Sequence, residues 1–437
     1  MKKLKWKNWI KLIIIIILLI GIAIIIPHIN KENKKEVIKE EIDYVTLVYE
    51  KINNQNIDKN FLKWIDDNYE NALESINNKL ETNEYDKKMW HEATGNSFLV
   101  LNDLYNKKYD SMDNVTVMES NSPSTLSFVG DISLADNWFI MPKYDERGKK
   151  VYGILSEEVV KTMNDSDLMV ANSEFTVSSR GTPLNGKQYT FRAKKERLSI
   201  YSEMGIDLVT LANNHVYDFG MDAFLDMLDA FDEYKIPHIG AGHNLDEAKE
   251  AYYFIINGYK IAFLNGTRAE KYIMTKDATI DSPGVFRCYD TTNMVNQIKS
   301  IRDNSDYVIV IMHFGKEGSH ELEKEQVESA KKYVDAGADV IIGHHAHVLQ
   351  GIEFYKEKPI IYNLGDFIFN SQKEYTAIFQ IVLNNDGTMN YKMLPALQEN
   401  MFTDFIKDDE KERLIKDLNS WSINALIDEE GNITEKK

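Results

Sequence analysis

The chain of 437 residues has one cysteine, Cys288. That excludes a disulfide framework and any thiolate cage for zinc. Proline and glycine are sparse, at 8 and 22 residues, which excludes collagen-like and Pro/Gly-rich low-complexity chains. Positive charge is also short: 51 Lys and Arg face 69 Asp and Glu, a formal net charge of −18. Lys2, Lys3, Lys5, Lys7 and Lys11 crowd the first eleven residues, so the remainder is more acidic still. A body of this sign repels nucleic acid, and no local basic patch offsets it, so no nucleic-acid partner is expected. Apolar residues are plentiful, at 43% hydrophobic and 11% aromatic. They suffice for a sizeable core and argue against a wholly disordered chain.

Leu12 to Ile26 carries no charge and is broken only by Gly21 and Ala23. With Trp9, Ile10 and a snorkelling Lys11 the run approaches the length of a bilayer core. The lysines ahead of it predict a cytoplasmic N-terminus and an external body. Gly21-Ile22-Ala23 is a weak match to a signal-peptidase site, and three further isoleucines follow it, which favours an uncleaved signal anchor. Residues 1–27 are therefore read as the transmembrane helix of a single-pass cell-membrane protein.

Residues 28–120 carry apolar stripes at helical spacing, such as Val37, Ile38, Ile42, Val45 and Val48, and are read as an α-helical spacer. Asn121-Ser122-Pro123-Ser124 punctuates the chain. From there to 399 short apolar runs alternate with helical patterns. Strands are predicted at 126–129, 168–171, 208–211, 253–256, 261–264, 307–312, 340–342 and 360–362. Helices are predicted at 155–163, 221–234 and 322–336. Continuous apolar strands between helices imply an α/β architecture with buried sheets. Residues 400–437 read as a charged, weakly helical tail.

The chemistry-bearing residues fall where these strands end. Gly130-Asp131, Asn172-Ser173-Glu174, Asn213-Asn214-His215, His313-Phe314-Gly315-Lys316-Glu317 and Gly343-His344-His345-Ala346-His347 each follow a predicted strand. In α/β sheets the carboxyl ends of strands are where ligands gather. Imidazole and carboxylate or amide oxygen suit one or two divalent cations such as Mn, Zn or Fe without any thiolate. Taken singly, Asp131 reads as a turn residue and Asn213-Asn214 as a cap for the 221–234 helix. Arg192 reads either as a contact for an anionic substrate or as one half of a surface ion pair.

These motifs, with Leu211–Gly220, Gly343–Gly351, Gly240–Asn244 and Tyr362–Phe369, resemble the bacterial capsule-synthesis CapA (poly-γ-glutamate biosynthesis) family over residues 125 to 372. That family is similar to calcineurin-like metallophosphoesterases. The resemblance implies a metallophosphoesterase-like two-sheet sandwich flanked by helices, preceded by the transmembrane helix and the spacer. It also implies roles. Asp131 and His347 would ligate a first metal, Glu174 would bridge, and Asn214, His313 and His345 would ligate a second. His215 would protonate the leaving group, and a register using His344 is an alternative. Glu317 and Arg192 are assigned to substrate. Two departures stand out: the phosphoesterase Asp-x-His is Asp131-Ile132-Ser133 here, and Asp366 stands where the family usually has Asn. The missing imidazole implies a weaker first metal site, or a single metal.

The function implied is participation in synthesis or export of an anionic capsule polymer such as poly-γ-glutamate, beside a membrane synthetase complex. The alternatives are an active cell-surface phosphoesterase or a non-catalytic polymer-binding scaffold. Protease shaving of intact cells is expected to digest the body and spare the N-terminal lysines. A protected body would contradict the topology.

Overall fold

The computed structural model describes residues 123–269 and 274–436 continuously, with 112–118 and His91, Asn96, Ser97, Leu99, Val100 and Asp103. The expected anchor, 1–27, and nearly all of the expected spacer, 28–120, lie outside the described residues. Among the described residues no helix is long and apolar enough to cross a membrane. The chain divides into two compact units. The smaller comprises 1–115, 257–260 and 385–387. In it Lys260 and Asp103 form a buried ion pair at 2.6 Å, and His91 stacks on Tyr259 with ring centroids 4.5 Å apart.

The larger unit is built on two mixed sheets. Seven strands carry the candidate site residues or lie next to them: β1 (Ser124–Ile132), β2 (Leu168–Ser173), β3 (Leu208–Thr210), β4 (Tyr259–Thr267, of which 261–267 belong to this unit), β5 (Tyr307–His313), β6 (Val340–His344) and β7 (Asp366–Ile368). In the ten-stranded sheet β1, β2 and β3 run parallel and adjacent, and β7 pairs with β1. In the seven-stranded sheet β4, β5 and β6 are parallel neighbours. The carboxyl ends of β1, β2, β3, β5 and β6 are the ends that bear the motifs.

Alternation along the pleat explains why both faces are apolar. Met169, Ala171, Val209 and Leu211 join a cluster with Val159 and Met163 of the 157–164 helix and Phe224, Met227 and Phe231 of the 221–233 helix. On the opposite face Phe128 of β1 meets Phe263 of β4, ring centroids 6.4 Å apart, which brings the two sheets together. The first of these helices starts where its pattern requires. Ser156 accepts a hydrogen bond from Val159 N, and Glu157 and Glu158 occupy the first turn, where acids favour the helix dipole.

The predicted strands and helices all lie on observed elements. Several observed elements had no predicted counterpart, among them the 140–147 and 292–302 helices. The antiparallel hairpin Glu374–Leu383 and Met389–Glu399 had no predicted strand, although Ala377–Phe379 and Ile381–Leu383 are apolar runs parted only by Gln380. Residues 400–437 are not a weakly helical tail. Phe402–Phe405 and Asn432–Glu435 pair with the 389–399 strand, Ala425–Ile427 extends the sheet edge, and Asp408–Trp421 is a helix burying Leu414, Ile415 and Leu418. Their few apolar side chains are diluted among acids and lysines, so composition hides a packed face.

Two glycines let strand ends approach closely. A Cβ on Gly130 would lie 1.9 Å from Gly365 O, and one on Gly343 would lie 1.9 Å from Tyr362 O. Asp131 N donates to Gly365 O at 2.9 Å, so the approach at Gly130 sets the distance between β1 and β7. Gly130→Ala is expected to cost about 2–3 kcal/mol, at the upper end for overpacking a close contact. Denaturant unfolding measures it, and an unchanged midpoint would refute the constraint.

Candidate metal centre

The focus of the site is one atom. Glu174 Oε1, just beyond β2, is fully buried and has no hydrogen-bond partner. Around it stand the Nε2 atoms of three imidazoles from three different strand ends: His313 at 3.5 Å, His347 at 3.7 Å and His215 at 3.9 Å. Its other oxygen accepts from Asn172 Nδ2 at 3.1 Å, and the same amide nitrogen donates to Asp131 Oδ1 at 2.8 Å. Asp131 also takes the backbone N–H of His345 at 3.1 Å, and His344 Nδ1 lies 3.0 Å from it. His313 Nε2 lies 2.8 Å from Asn214 Oδ1, and the His313 and His345 rings are 4.6 Å apart.

The backbone after β6 makes this convergence. His345 and His347 have φ of 93° and 58°, in the left-handed region that side chains other than glycine rarely adopt. Each such residue costs on the order of 1–2 kcal/mol, tolerated where surrounding contacts over-determine it. Two imidazoles one residue apart thereby reach the same small volume.

Protonation is set by burial and neighbours. Burial pushes Glu174 well above the usual carboxylate range; Asp131 adds to this, and His347 partly offsets it. Burial opposes charge on His347, but Asp366, Glu174 and Asp131 outweigh it and hold the imidazole well above its ordinary value. Burial and the neighbouring imidazoles hold His313 well below its ordinary value. Burial, then His347, bring His345 down to about 3. Burial would raise Asp131, but His344 and His347 bring it below its ordinary value.

The donors fit a divalent cation. Three groups of ligand atoms each lie within 4.8 Å of one another: Glu174, His345 and His347; Asp131, Glu174 and His313; Asp131, His347 and Asp366. Glu174 Oε1 and His345 Nδ1 are buried acceptor-capable atoms with no hydrogen bond. A cation satisfies such atoms, whereas an unfilled site leaves them at a cost.

Asp131, Glu174, Asn214, His215, His313, His345 and His347, seven of the nine residues assigned from sequence, are brought together. Glu317 stands at the rim: its side chain is 58% exposed and its carboxylate is 4.0 Å from His345 Nε2. Arg192 is not in the cleft. Its guanidinium lies over the Phe219 ring, 4.1 Å from the centroid, and donates to the Arg180 and Gly181 carbonyls. The cation lining the cleft is instead Lys187, which pairs with Asp218 Oδ1 at 2.8 Å and donates to Asn214 O.

The capping reading of Asn213-Asn214 also fails. Asn213 donates to Asn172 Oδ1 and Ser173 O and accepts from His215 N, and the 221–233 helix has no side-chain cap. Sequence reasoning gave no role to Asn172, to Lys187, or to Asp218, whose Oδ2 lies 2.7 Å from His215 Nδ1. Their local patterns are those of ordinary polar loop residues. Only the position of Asn172 at a strand end signalled it. The cleft beside these groups has a volume of about 730 Å³ and is walled by Trp138, Phe139, Tyr189 and Phe191.

Strand-end imidazoles and carboxylates gathered on one buried oxygen define a two-sheet α/β protein with a candidate metal-binding cleft. The chain belongs to the bacterial capsule synthesis protein family PGA_cap, whose model matches residues 125–371. It is 31% identical over 287 residues to the capsule biosynthesis protein CapA of Bacillus anthracis, covering 63% of this chain and 67% of that one. With the PGA biosynthesis protein CapA of Bacillus subtilis it shares 30% over 318 residues, 70% of this chain and 81% of the relative. Among solved structures it is similar to TT1561 of Thermus thermophilus, at 9% identity and a TM-score of 0.31, over 62% of this chain and 99% of that one. It is also similar to a 5'-nucleotidase from Candida albicans, at 11% identity and a TM-score of 0.32, over 63% and 53%. Likeness at that level says nothing of function.

The protonation pattern has a sign that can be measured. In the fold Glu174 prefers its neutral form, so the folded state binds a proton that the unfolded chain releases above its ordinary value of 4.5. That contribution is present at low pH and lost as pH rises. In chelator at pH 8, Glu174→Gln should therefore melt above the unsubstituted chain, the gap closing towards pH 4.5. A pH-independent gap in thermal unfolding would contradict the assignment.

Proposed function

We propose that this is a membrane-anchored, outward-facing capsule protein whose cleft is a metal-dependent phosphoester site. It would serve the synthesis or export of an anionic polymer such as poly-γ-glutamate beside a membrane synthetase or export complex. The observation that carries the chemistry is the unsatisfied Glu174 Oε1 with three imidazole nitrogens within 3.9 Å. Family membership carries the biological setting, likeness to the PGA biosynthesis protein of Bacillus subtilis carries the polymer, and the lysine-led apolar run at 12–26 carries the anchor.

In this reading Asp131 and His347 would hold a first cation, Asn214, His313 and His345 would hold a second, and Glu174 would serve both. Bound cations supply Lewis acidity toward a phosphoryl oxygen and lower the pKa of a coordinated water. The chain's own groups do the rest. Asp218 Oδ2, 2.7 Å from His215 Nδ1, fixes that proton and leaves Nε2 directed toward Glu174. In the imidazolium form the ring carries a second proton on Nε2; that proton passes to the departing oxygen and leaves the neutral ring still held by Asp218. Lys187 holds Asp218 in place from its other oxygen. The aromatic walls exclude water from one side, and Glu317 at the rim meets the substrate. The lining carries Glu317, Asp366 and Glu374 against Lys187, so attraction of a phosphate ester or polyanion comes from the metal charge rather than from basic side chains.

One observation favours a second reading, a metal-bearing scaffold that binds polymer without hydrolysing anything. Ser133 offers a hydroxyl where phosphoesterases place an imidazole. The two readings part on one residue. With Mn²⁺ or Zn²⁺, the full chain in detergent is expected to hydrolyse phosphodiesters or phosphomonoesters. His215→Ala should lower kcat by about 10²-fold or more, as loss of a general acid does, with metal content unchanged. Activity indifferent to that change would remove the catalytic reading. In cells, surface polymer that survives His215→Ala but not His345→Ala would identify the scaffold.

A further inference from the structure

We infer that Asp366 is a direct ligand of the first cation, taking the place of the imidazole that Ser133 does not supply. The inference rests on the metal-site reading above and deepens it at one position.

Strand pairing delivers the residue. β7 runs parallel to β1 with Asp366 opposite Asp131, and Asp131 N donates to the carbonyl of Gly365. The Gly130 approach described above holds these two carboxylate-bearing segments together. Asp366 is fully buried, with Oδ1 2.7 Å from His347 Nδ1. Asp131 Oδ2 lies 3.5 Å from the same nitrogen. One donor atom from each of Asp131, His347 and Asp366 lies within 4.8 Å of the others. Asp366 Oδ2 accepts from the Asn370 amide, which fixes the plane of the carboxylate as outer-sphere partners of metal ligands do.

Ser133 lies alongside. Its N–H donates to Ile368 O at 2.7 Å, continuing the contact between β1 and β7, and its buried hydroxyl has no hydrogen-bond partner. A serine there leaves the donor set one imidazole short, on the strand that pairs with the one carrying Asp366.

Charge balance points the same way. Asp131, Glu174 and Asp366 are all buried, and among the described residues their ion-pair partners within 4 Å are imidazoles, with no Lys or Arg. Three buried carboxylates are costly without compensating positive charge. A divalent cation held by Asp366 as well as Asp131 provides it at the point where two of them meet. An amide at 366 would keep the shape and the contact with His347 but give up the charge.

The test compares the full chain in detergent with D366N and with S133H/D366N, each stripped with chelator and reloaded with Mn²⁺. Bound metal is counted by elemental analysis, and the spin-coupled pair is followed by electron paramagnetic resonance. Two ions are expected in the unsubstituted chain and one in D366N, the coupled spectrum giving way to that of an isolated Mn²⁺. In S133H/D366N, where the imidazole is restored, two ions and the coupled spectrum should return. The single ion held by D366N shows that this variant had folded. Two ions in D366N, bound within threefold of the original affinity, would overturn the role of Asp366 and leave the metal site standing. No bound ion in any of the three chains would overturn the metal reading and this inference with it.

Discussion

The molecule is organised around the cost of putting like charges out of reach of water. Asp131, Glu174 and Asp366 are fully buried within one small volume. Such a cluster persists only if something positive, or a proton, sits among them. The burden falls on Glu174, whose carboxyl is pushed up, and on His347, whose imidazole is held charged between carboxylates. His313 and His345 are kept neutral, the state in which imidazole binds a metal ion. The same burial that makes the cluster expensive makes its nitrogens available.

Holding that arrangement asks much of the backbone. Two successive imidazoles are presented by non-glycine residues at positive φ, and two glycines admit carbonyl oxygens where any Cβ would collide. These are strains and omissions that a fold tolerates where geometry is worth more than local ease. Around them Asn172 and Asn213 tie β2 to the loop after β3, and Asp218 locks the orientation of His215. The donors stand at strand ends or in the short segments just beyond them, which positions them more precisely than long loops would.

The acidity of the chain acquires a consistent sense here. A protein that meets a polyanion across an acidic surface gains nothing from general electrostatic attraction. The cleft lining is no exception, with Lys187 committed to Asp218. Attraction confined to metal ions would restrict contact to one end or one phosphate of a polymer-related substrate. The cleft of about 730 Å³ has aromatic walls and lies within the size range of small-molecule sites.

Much of this was legible in one dimension. Apolar β-branched runs such as Tyr307–Met312 and Val340–Ile342 announce buried parallel strands, because both faces of such a strand must be apolar. The residues that end them announce the rim where ligands gather. Seven of the nine assigned site residues do meet there, since a strand end fixes its side chains within a few ångströms whatever the rest of the chain does. Other features needed the fold. Arg192 turns onto Phe219, and Lys187 takes the place on the cleft, because the 180–192 segment folds back in a way no local pattern encodes. Asp366 meets Asp131 only through pairing between strands more than two hundred residues apart. The closing strands after residue 400 are three or four residues long and flanked by charges, so partners elsewhere decide their structure. Periodicity and residue type determined the layers and the kinds of donor, for these act over a few neighbouring residues. Tertiary structure decided which donors share one volume and which charge each carries, because proximity and desolvation exist only once distant segments have closed around them.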